Sequence, residues 1–191
     1  RQMCIRDRLS YGGKVITMSD SGGYVFDKDG IDEDKLAWIM DLKNNRRGRI
    51  KEYASEYPGA KYHEGKRPWG EVCDVALPSA TQNEIEEQGA KNLVKNGCLA
   101  ISEGANMPTS PAAYEILNKA GILFGPAKAA NAGGVAVSAL EMSQNASFDE
   151  LTSEKVDAKL DQLVAAGVHV TIAGNNNYEV QYNYSDDAND N

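Results

Sequence analysis

Apolar residues recur along this chain in two patterns, one typical of strands and one typical of amphipathic helices. Three short apolar runs, at residues 73–78, 99–101 and 122–124, predict buried strands. Two helical patterns, Glu84 to Lys95 and Pro111 to Lys119, separate these runs. Because strands that alternate with amphipathic helices form right-handed βαβ units, the pattern predicts a parallel sheet flanked by helices.

The first quarter of the chain predicts a strand at 14–18, a turn and a short extended segment at 24–26. Asp32 is expected to cap the helix that follows, and Gly48 separates this helix from a second amphipathic segment through Tyr53. Both helical segments are expected to pack on the sheet. The fold class is therefore α/β, an incomplete doubly wound, Rossmann-like parallel sheet flanked by helices.

The start of a dinucleotide-binding fold is not recognisable in this sequence. Such a fold opens with a strand and a GxGxxG turn, and an acidic residue ends its second strand. Asp20 occupies the place of that acidic residue, so the first strand and the glycine-rich loop are expected to be missing. Residues 1–8 are interpreted as a non-native leader that resembles translated sequencing adapter. Residues 9–166 are then a partial dinucleotide-binding domain, and 167–191 a divergent, loose tail in which only 168–172 alternates like a strand.

Charge and composition narrow the function. The net charge is −8, from 28 acidic against 20 basic residues, which argues against binding to nucleic acid or to an anionic membrane. No apolar run reaches the roughly 20 residues of a membrane helix. The three cysteines have no metal-ligand spacing, the two histidines are isolated, and we expect no metal site. Buried thiols and the absence of a signal sequence favour a cytoplasmic protein.

Small residues and amides follow two of the predicted strands. Residues 103–108 read Glu-Gly-Ala-Asn-Met-Pro, and residues 128–135 contain Asn131 before Gly133 and Gly134. In open α/β sheets, ligands bind beyond the carboxyl ends of the strands, where glycines allow a close approach of the backbone. The sequence therefore predicts part of a cofactor pocket there. Capping of the adjacent helices is the alternative role of the asparagines.

Five ordered motifs carry a family resemblance: 19–23 (SDSGG), 67–69 (RPW), 77–84 (LPSATQNE), 103–108 (EGANMP) and 128–145. From about residue 11 to residue 145 the chain resembles the cofactor-binding domain of hexameric glutamate dehydrogenase. The resemblance implies a fragment of an enzyme that interconverts L-glutamate with 2-oxoglutarate and ammonia in a homohexamer. It also implies that the catalytic residues belong to a substrate domain outside this chain, so that the fragment alone is inactive.

The same resemblance assigns the site residues. Val135 and Ser138 are expected to face the substrate, and Ser138 would bind the side-chain carboxylate of glutamate. The cofactor-binding residues that it implies are Ser19, Asp20, Ser21, Lys43, Arg46, Ala80, Thr81, Asn83, Gly104, Ala105, Asn106 and Asn131.

The choice of cofactor depends on the surroundings of Asp20. An acid at this strand end binds the ribose 2′-hydroxyl of NAD and repels a 2′-phosphate unless cations compensate. The basic segment 43–49 can fold back beside the strand end and supply those cations, or it can be an exposed basic helix end. Family members that use NADP keep Ser-Asp-Ser here, with a lysine and an arginine at the positions of Lys43 and Arg46. We therefore predict NADP, with NAD as the other possible cofactor.

Two other functions stay open. Another amino-acid dehydrogenase of the same family would act on apolar substrates, although Ser138 favours an acidic one. A non-catalytic module that binds a nucleotide or another protein would fold and bind dinucleotide without the rest of an enzyme.

Overall fold

The computed structural model describes residues 9, 12–148, 150–167, 169–173 and 177–181, with side chains up to residue 162. The predicted leader at 1–8 lies outside the described residues. Short 3₁₀ turns occur at Ile50–Glu52 and Pro68–Gly70. The strands are β1 Val15–Asp20, β2 Gly23–Ile31, β3 Ala60–Glu64, β4 Val75–Ala76, β5 Ala100–Ser102, β6 Leu123–Gly125, β7 His169–Ala173 and β8 Asn177–Gln181. The helices are α1 Glu33–Asn44, α2 Tyr53–Glu56, α3 Glu87–Lys95, α4 Pro111–Lys119, α5 Ala127–Ala130, α6 Ala132–Ser147 and α7 Ser153–Gly167.

The predicted parallel sheet is present as β4-β5-β6, in which each neighbouring pair is parallel. Helices α3 and α4 connect these strands and pack against each other. Ser110 caps α4, because its hydroxyl accepts a hydrogen bond from the backbone of Ala113. One face of the sheet and the two helices enclose a core of Ala76, Ile85, Ala90, Leu93, Cys98, Ile101, Ala113, Leu117 and Ile122.

The other face of this sheet is less covered than the sequence predicts. Val75, Leu99 and Leu123 are 48%, 63% and 38% exposed, although all three belong to the apolar runs that predicted buried strands. Alternate residues of a strand point to opposite faces, so apolar runs of this kind mark a sheet with two apolar faces. In the described residues, helices cover one of them.

The first part of the chain forms a second, antiparallel sheet with the order β1-β2-β3. Asp32 caps α1 as predicted, by accepting a hydrogen bond from the Lys35 backbone at 2.9 Å. Both helical segments pack on this antiparallel sheet, whereas the sequence predicted that they pack on the parallel one. Their apolar residues join strand residues in a separate core of Val25, Ile31, Leu36, Ile39, Ile50, Tyr53 and Ala60.

The sequence did not predict β3, and it did not predict that β1 pairs with β2 in antiparallel orientation. In the classic doubly wound order, the first strand lies between the second and the fourth. If β1 is the second strand of that order, the first strand would separate it from β4. Among the described residues no strand lies between β1 and β4, and the two sheets are separate.

The tail contains more regular structure than predicted. The expected strand is confirmed as β7, but part of the segment expected to be loose forms β8, which pairs antiparallel with β7. In the sequence, Tyr178 and Val180 alternate with Asn177, Glu179 and Gln181. This alternation suits a strand, and it outweighs the asparagine content of the neighbouring segment. Residues 182–191 lie outside the described part of the chain.

Candidate cofactor site

Three loops meet at the carboxyl ends of the parallel strands. The backbone N–H groups of Gly104 and Ala105, after β5, both donate to the carbonyl of Pro78, after β4, at 3.0 Å. The side-chain amide of Asn131, after β6, donates to the Ala105 carbonyl at 3.1 Å. The predicted pocket residues of the three loops are therefore brought together at one edge of the sheet.

Glu103 holds two of these loops in place. Its side chain is buried, with 6% exposure for the residue, and accepts hydrogen bonds from the backbone of Ala127 at 2.8 Å and of Thr109 at 3.2 Å. The Glu103 N–H also donates to the Gly125 carbonyl at 3.0 Å. This carboxylate therefore fixes the start of α5 against the loop after β5.

Sequence reasoning did not assign a role to Glu103. An acid directly after a buried strand and before a glycine was the available signal. The bridging role of Glu103 depends on the positions of two backbone N–H groups, and the sequence does not reveal those positions.

We expect the substitution Glu103→Ala to destabilise the chain by about 2–4 kcal/mol, because two backbone N–H groups lose their acceptor in a buried region. Urea unfolding monitored by circular dichroism measures this change. Glu115→Ala is the control, since Glu115 is exposed on α4. Equal effects of the two substitutions would contradict the bridging role.

Steric and backbone constraints shape the same loops. A Cβ at Gly104 would lie 2.5 Å from the Ser79 hydroxyl oxygen and 3.1 Å from the Ser79 Cβ, so a side chain there would force Ser79 to shift. Asn83 and Met107 have φ values of 55° and 48°, in the left-handed region that non-glycine residues rarely adopt. The Asn83 N–H donates to the Met107 carbonyl at 3.1 Å, which joins these two unusual positions. Strained backbone of this kind clusters at ligand sites.

The remaining predicted residues of these loops lie on the surface of the crevice. Asn83, Asn106 and Thr81 are exposed, and Ala80 is half-buried. The Thr81 N–H donates to the Glu84 carboxylate, which closes a turn before α3. Val135 and Ser138 are exposed on α6, a helix without buried residues. A Cβ at Gly133 or Gly134 would meet no other atom within 4 Å, so this helix start is open.

The carboxylate of Asp20, at the end of β1, organises the second part of the candidate site. It accepts hydrogen bonds from the backbone N–H groups of Gly22 and Ile50, both at 2.9 Å, and from the Lys43 ammonium at 3.1 Å. Burial by itself raises the pKa of Asp20, but the bonds from Ile50, Gly22 and Lys43 hold this pKa below its ordinary value. Asp20 is therefore an anion with most of its acceptor capacity used within the protein.

Lys43 lies beside the end of β1, next to Asp20, which is one of the two arrangements that the sequence allows. Its ammonium also donates to the Gly48 carbonyl at 3.1 Å. A side chain in place of Gly48 would collide with Leu42. The expectation that the basic end of α1 folds back beside the strand end is thus confirmed by the ion pair of Lys43 with Asp20. Whether these groups bind a cofactor stays a prediction.

The arginine beside Ser21 is a different one from the arginine that was predicted. Arg49 donates from Nη1 to the Ser21 hydroxyl at 2.7 Å. Arg46 instead pairs with Asp41 at 2.9 Å and lies over the Trp38 ring, 4.5 Å from its centroid. Arg49 belongs to the same basic segment, so charge alone could have suggested it, but only the folded turn at 45–50 distinguishes the two arginines.

Formal charge at this strand end is balanced, with Lys43 and Arg49 against Asp20 and Glu52. The negative charge of Asp20 is balanced by Lys43, and Arg49 adds one positive charge beside Ser21. Glu52 accepts a hydrogen bond from the backbone of Arg49 at 2.9 Å. Ser21 is exposed and its hydroxyl is bonded to the Arg49 guanidinium, a group that suits a phosphate better than a neutral hydroxyl.

The family model for glutamate/leucine/phenylalanine/valine dehydrogenases matches residues 2–190. The chain belongs to this family. The match includes both the predicted leader and the predicted tail, and the proposed boundaries of these segments stay predictions.

Relatives within this dehydrogenase family are highly similar. A glutamate dehydrogenase of Bacteroides thetaiotaomicron is 56% identical over 163 residues, which is 85% of this chain and 36% of the relative. An NADP-specific glutamate dehydrogenase of Escherichia coli is 46% identical over 188 residues, or 98% of this chain and 42% of the relative. The crystal structure of Plasmodium falciparum glutamate dehydrogenase has a TM-score of 0.77 at 45% identity and is matched over 35% of its length. The chain thus spans little more than a third of the length of most of these relatives.

These solved dehydrogenase structures also support the fold class, an α/β arrangement with a parallel sheet flanked by helices. Within the described part of the chain, no helix combines the length and apolarity needed to cross a bilayer.

Proposed function

We propose that this chain supplies the cofactor-binding part of an NADP-dependent glutamate dehydrogenase. The reaction would be the reversible oxidative deamination of L-glutamate to 2-oxoglutarate and ammonia. The observation that carries the choice of NADP is that Arg49 is bonded to the exposed Ser21 hydroxyl while Lys43 compensates the charge of the adjacent Asp20. Small-molecule substrates, a homohexameric parent and a cytoplasmic location belong to the same proposal.

Names of relatives support the substrate and leave two options for the cofactor. A relative from Haemophilus influenzae, 53% identical, is named an NADP-specific glutamate dehydrogenase. A relative from Xylanibacter ruminicola, 57% identical, is named an NAD(P)-specific glutamate dehydrogenase. NAD therefore stays a possible second cofactor, and the Arg49 guanidinium bonded to Ser21 favours NADP.

A dinucleotide would bind these residues in an extended pose. The 2′-phosphate would lie beside Ser21, Lys43 and Arg49, while the adenosine side would contact the loop at 80–83. The nicotinamide ribose would lie against Gly104 and its neighbours, and Asn131 would reach toward the ring. Gly104 supports this placement, because the absence of a side chain lets the loop after β5 approach the loop after β4 closely.

Bound NADP would accept the hydride, and the residues of this chain would bind the cofactor and orient it. Asn131 is already oriented by its bond to Ala105. The start of α5 is fixed by Glu103. Fixed loops of this kind hold reacting groups in position, which is a large part of catalysis by such clefts.

A segment exchange tests the proposal. The aligned part of the Bacteroides thetaiotaomicron enzyme is replaced by the corresponding part of this chain, giving the segment-swap enzyme. We expect it to reduce NADP with L-glutamate at a kcat/KM within about tenfold of that of the Bacteroides thetaiotaomicron enzyme. A factor of ten corresponds to a change of about 1.4 kcal/mol in the stabilisation of the transition state. The absorbance of the reduced cofactor measures the rate.

Two controls separate folding from function. Sedimentation establishes whether the segment-swap enzyme assembles like its parent, and leucine, valine and phenylalanine replace glutamate in parallel assays. An assembled enzyme that prefers these apolar substrates would support another amino-acid dehydrogenase instead. An assembled enzyme without any dehydrogenase activity would contradict the proposal and favour a non-catalytic module.

A further inference from the structure

Two of the three cysteines lie next to each other at the edge of the parallel sheet opposite the candidate cofactor site. Cys73 precedes β4 by two residues and Cys98 precedes β5 by two residues. Val75 and Ala100, the residues at which these strands begin, are register partners. Cys73 packs against the core cluster that contains Cys98, so the two side chains lie near each other, and the sequence assigned neither of them a functional role.

Hydrogen bonds continue the strand pairing up to the cysteines. The carbonyl of Asp74 accepts bonds from the backbone of Leu99 at 2.8 Å and of Ala100 at 3.2 Å. The Cys98 thiol lies 3.7 Å from the same Asp74 carbonyl and 3.3 Å from the Ala100 carbonyl. The backbone next to Cys73 is thus in direct contact with the Cys98 side chain.

This placement meets the geometric requirement of a disulfide. Neighbouring strands lie about 4.8 Å apart, and the residues that directly follow the two cysteines are joined by the bond from the Leu99 N–H to the Asp74 carbonyl. A disulfide needs Cα atoms about 4.4–6.8 Å apart and Cβ atoms that face each other. The Cys98 sulfur lies 3.7 Å from the carbonyl of Asp74, the residue next to Cys73, so it is directed toward the segment that carries Cys73.

We propose that Cys73 and Cys98 form a reversible dithiol–disulfide pair that ties the start of β4 to the start of β5. The two thiols are free, with Cys73 half-buried and Cys98 buried. The half-buried position of Cys73 allows a small oxidant such as hydrogen peroxide to reach the pair. This proposal does not depend on cofactor binding or on the proposed dehydrogenase activity.

The chemistry balances with hydrogen peroxide as the oxidant. The Cys98 thiolate attacks one peroxide oxygen, the O–O bond breaks, and the hydroxide that leaves takes up a proton to become water. Cys98 is then a sulfenic acid. The Cys73 sulfur attacks the Cys98 sulfur, the S–S bond forms, the S–O bond breaks, and the second hydroxide leaves as water with the Cys73 proton.

Local electrostatics support Cys98 as the attacking thiol. The hydrogen bond from Cys73 lowers the pKa of Cys98 to about 7, and backbone bonds at Ala100 and Ala76 act in the same direction against the effect of burial. The same hydrogen bond, together with burial, raises the pKa of Cys73. One thiolate at a time is therefore available, held next to a thiol that can complete the disulfide.

Peptide mapping of the full 191-residue chain tests the pair. The folded chain is treated with hydrogen peroxide, alkylated and digested with trypsin, which separates the two cysteines at Lys91 and Lys95. We expect a peptide pair that joins Cys73 to Cys98, lost on treatment with dithiothreitol. Oxidation should also raise the Tm by about 5 °C or more, because the cross-link restricts the unfolded chain.

Matched variants make each outcome decisive. Cys4→Ser should leave the cross-link unchanged, whereas Cys73→Ser should stop at a sulfenic acid on Cys98 that dimedone traps. A cross-link that includes Cys4, or one that forms only in urea, would overturn the proposal. The segment-swap enzyme is mapped in the same way with its activity as the criterion of folding, and absence of the cross-link in that active enzyme would also overturn it.

Discussion

Replacing Lys43 with alanine in the segment-swap enzyme should raise the Kd for NADP by about 10–100-fold, the factor expected when a charged hydrogen bond to phosphate is lost. The Kd for NAD should change by less than about threefold, because NAD has no 2′-phosphate to lose a contact. Titration of the protein with each reduced cofactor, followed by fluorescence, measures both constants.

The physical reason lies in the pairing of Lys43 with Asp20. Without the ammonium, the Asp20 carboxylate keeps the backbone bonds from Gly22 and Ile50 but loses its compensating charge. A 2′-phosphate then meets a bare anion, whereas the ribose hydroxyl of NAD can donate to it. The loss of binding free energy for NADP should therefore exceed the contribution of a single hydrogen bond. Lys95→Ala, at the exposed end of α3, is the control for a general loss of positive charge.

Arg49 and Arg46 offer a matched pair for the same measurement, since both are exposed and lie three residues apart. Arg49→Gln should weaken NADP binding more than Arg46→Gln, because Arg49 contacts Ser21 while Arg46 contacts Asp41 and Trp38. The reverse order would return the role to Arg46, as the family resemblance predicts. Equal losses of NADP and NAD affinity in Lys43→Ala would remove Lys43 from the cofactor site.

Replacing Asp27 with alanine should destabilise the chain by about 3–5 kcal/mol, the range for breaking a buried ion pair from one side. Asp27 is 2% exposed, and its carboxylate accepts a hydrogen bond from the Tyr53 hydroxyl at 2.6 Å and from the Lys35 ammonium at 2.8 Å. The substitution leaves the buried Tyr53 hydroxyl without its acceptor. Urea unfolding at neutral pH measures the loss.

The Asp27 carboxylate should also make the stability of the chain depend on pH. Burial opposes ionisation of Asp27, but the bonds from Lys35 and Tyr53 and from the Asp29 backbone lower its pKa below the ordinary value of 3.8. Because the pKa of Asp27 is lower in the folded state, its ionised carboxylate contributes fully to the free energy of unfolding above the unfolded pKa. This contribution is lost as the pH falls through the folded pKa. The free energy of unfolding should therefore fall below about pH 4, and it should fall less in Asp27→Asn.

Asp29→Ala serves as the control for the Asp27 prediction, since Asp29 is an exposed acid on the same strand. A surface carboxylate of this kind should change stability by less than about 0.5 kcal/mol. If Asp27→Ala and Asp29→Ala destabilise the chain equally, the buried pair with Lys35 and Tyr53 does not have the stabilising role assigned to it.

Local signals predicted some elements well. Helix α4 has the predicted bounds, because Ser110 and Pro111 mark its start and its apolar residues keep a helical spacing. Strand β3 was missed, since Ala60–Glu64 mixes small, charged and aromatic residues and becomes a strand through its pairing with β2. Strand pairing is a property of the whole fold, so the antiparallel sheet could not be predicted from periodicity.

The candidate site was predictable to the same degree. Residue types and family motifs identified the three loops and the Asp20–Lys43 region before any contact was known. They could not show that Arg49 rather than Arg46 bonds to Ser21, because that depends on the turn at 45–50. They also could not show that Glu103 bridges two loops or that Cys73 packs against the core that contains Cys98, since both facts depend on contacts between distant segments.

The separate cores of the two sheets have an energetic consequence for the proposed cofactor. The predicted contacts of NADP are divided between them, with the phosphate beside the antiparallel sheet and the nicotinamide side beside the parallel sheet. A molecule bound to both would dissociate when either core unfolds, and so stabilises both by the same binding free energy. The concentration of the cofactor would then determine how cooperatively this polypeptide unfolds, and therefore how long it survives proteolysis.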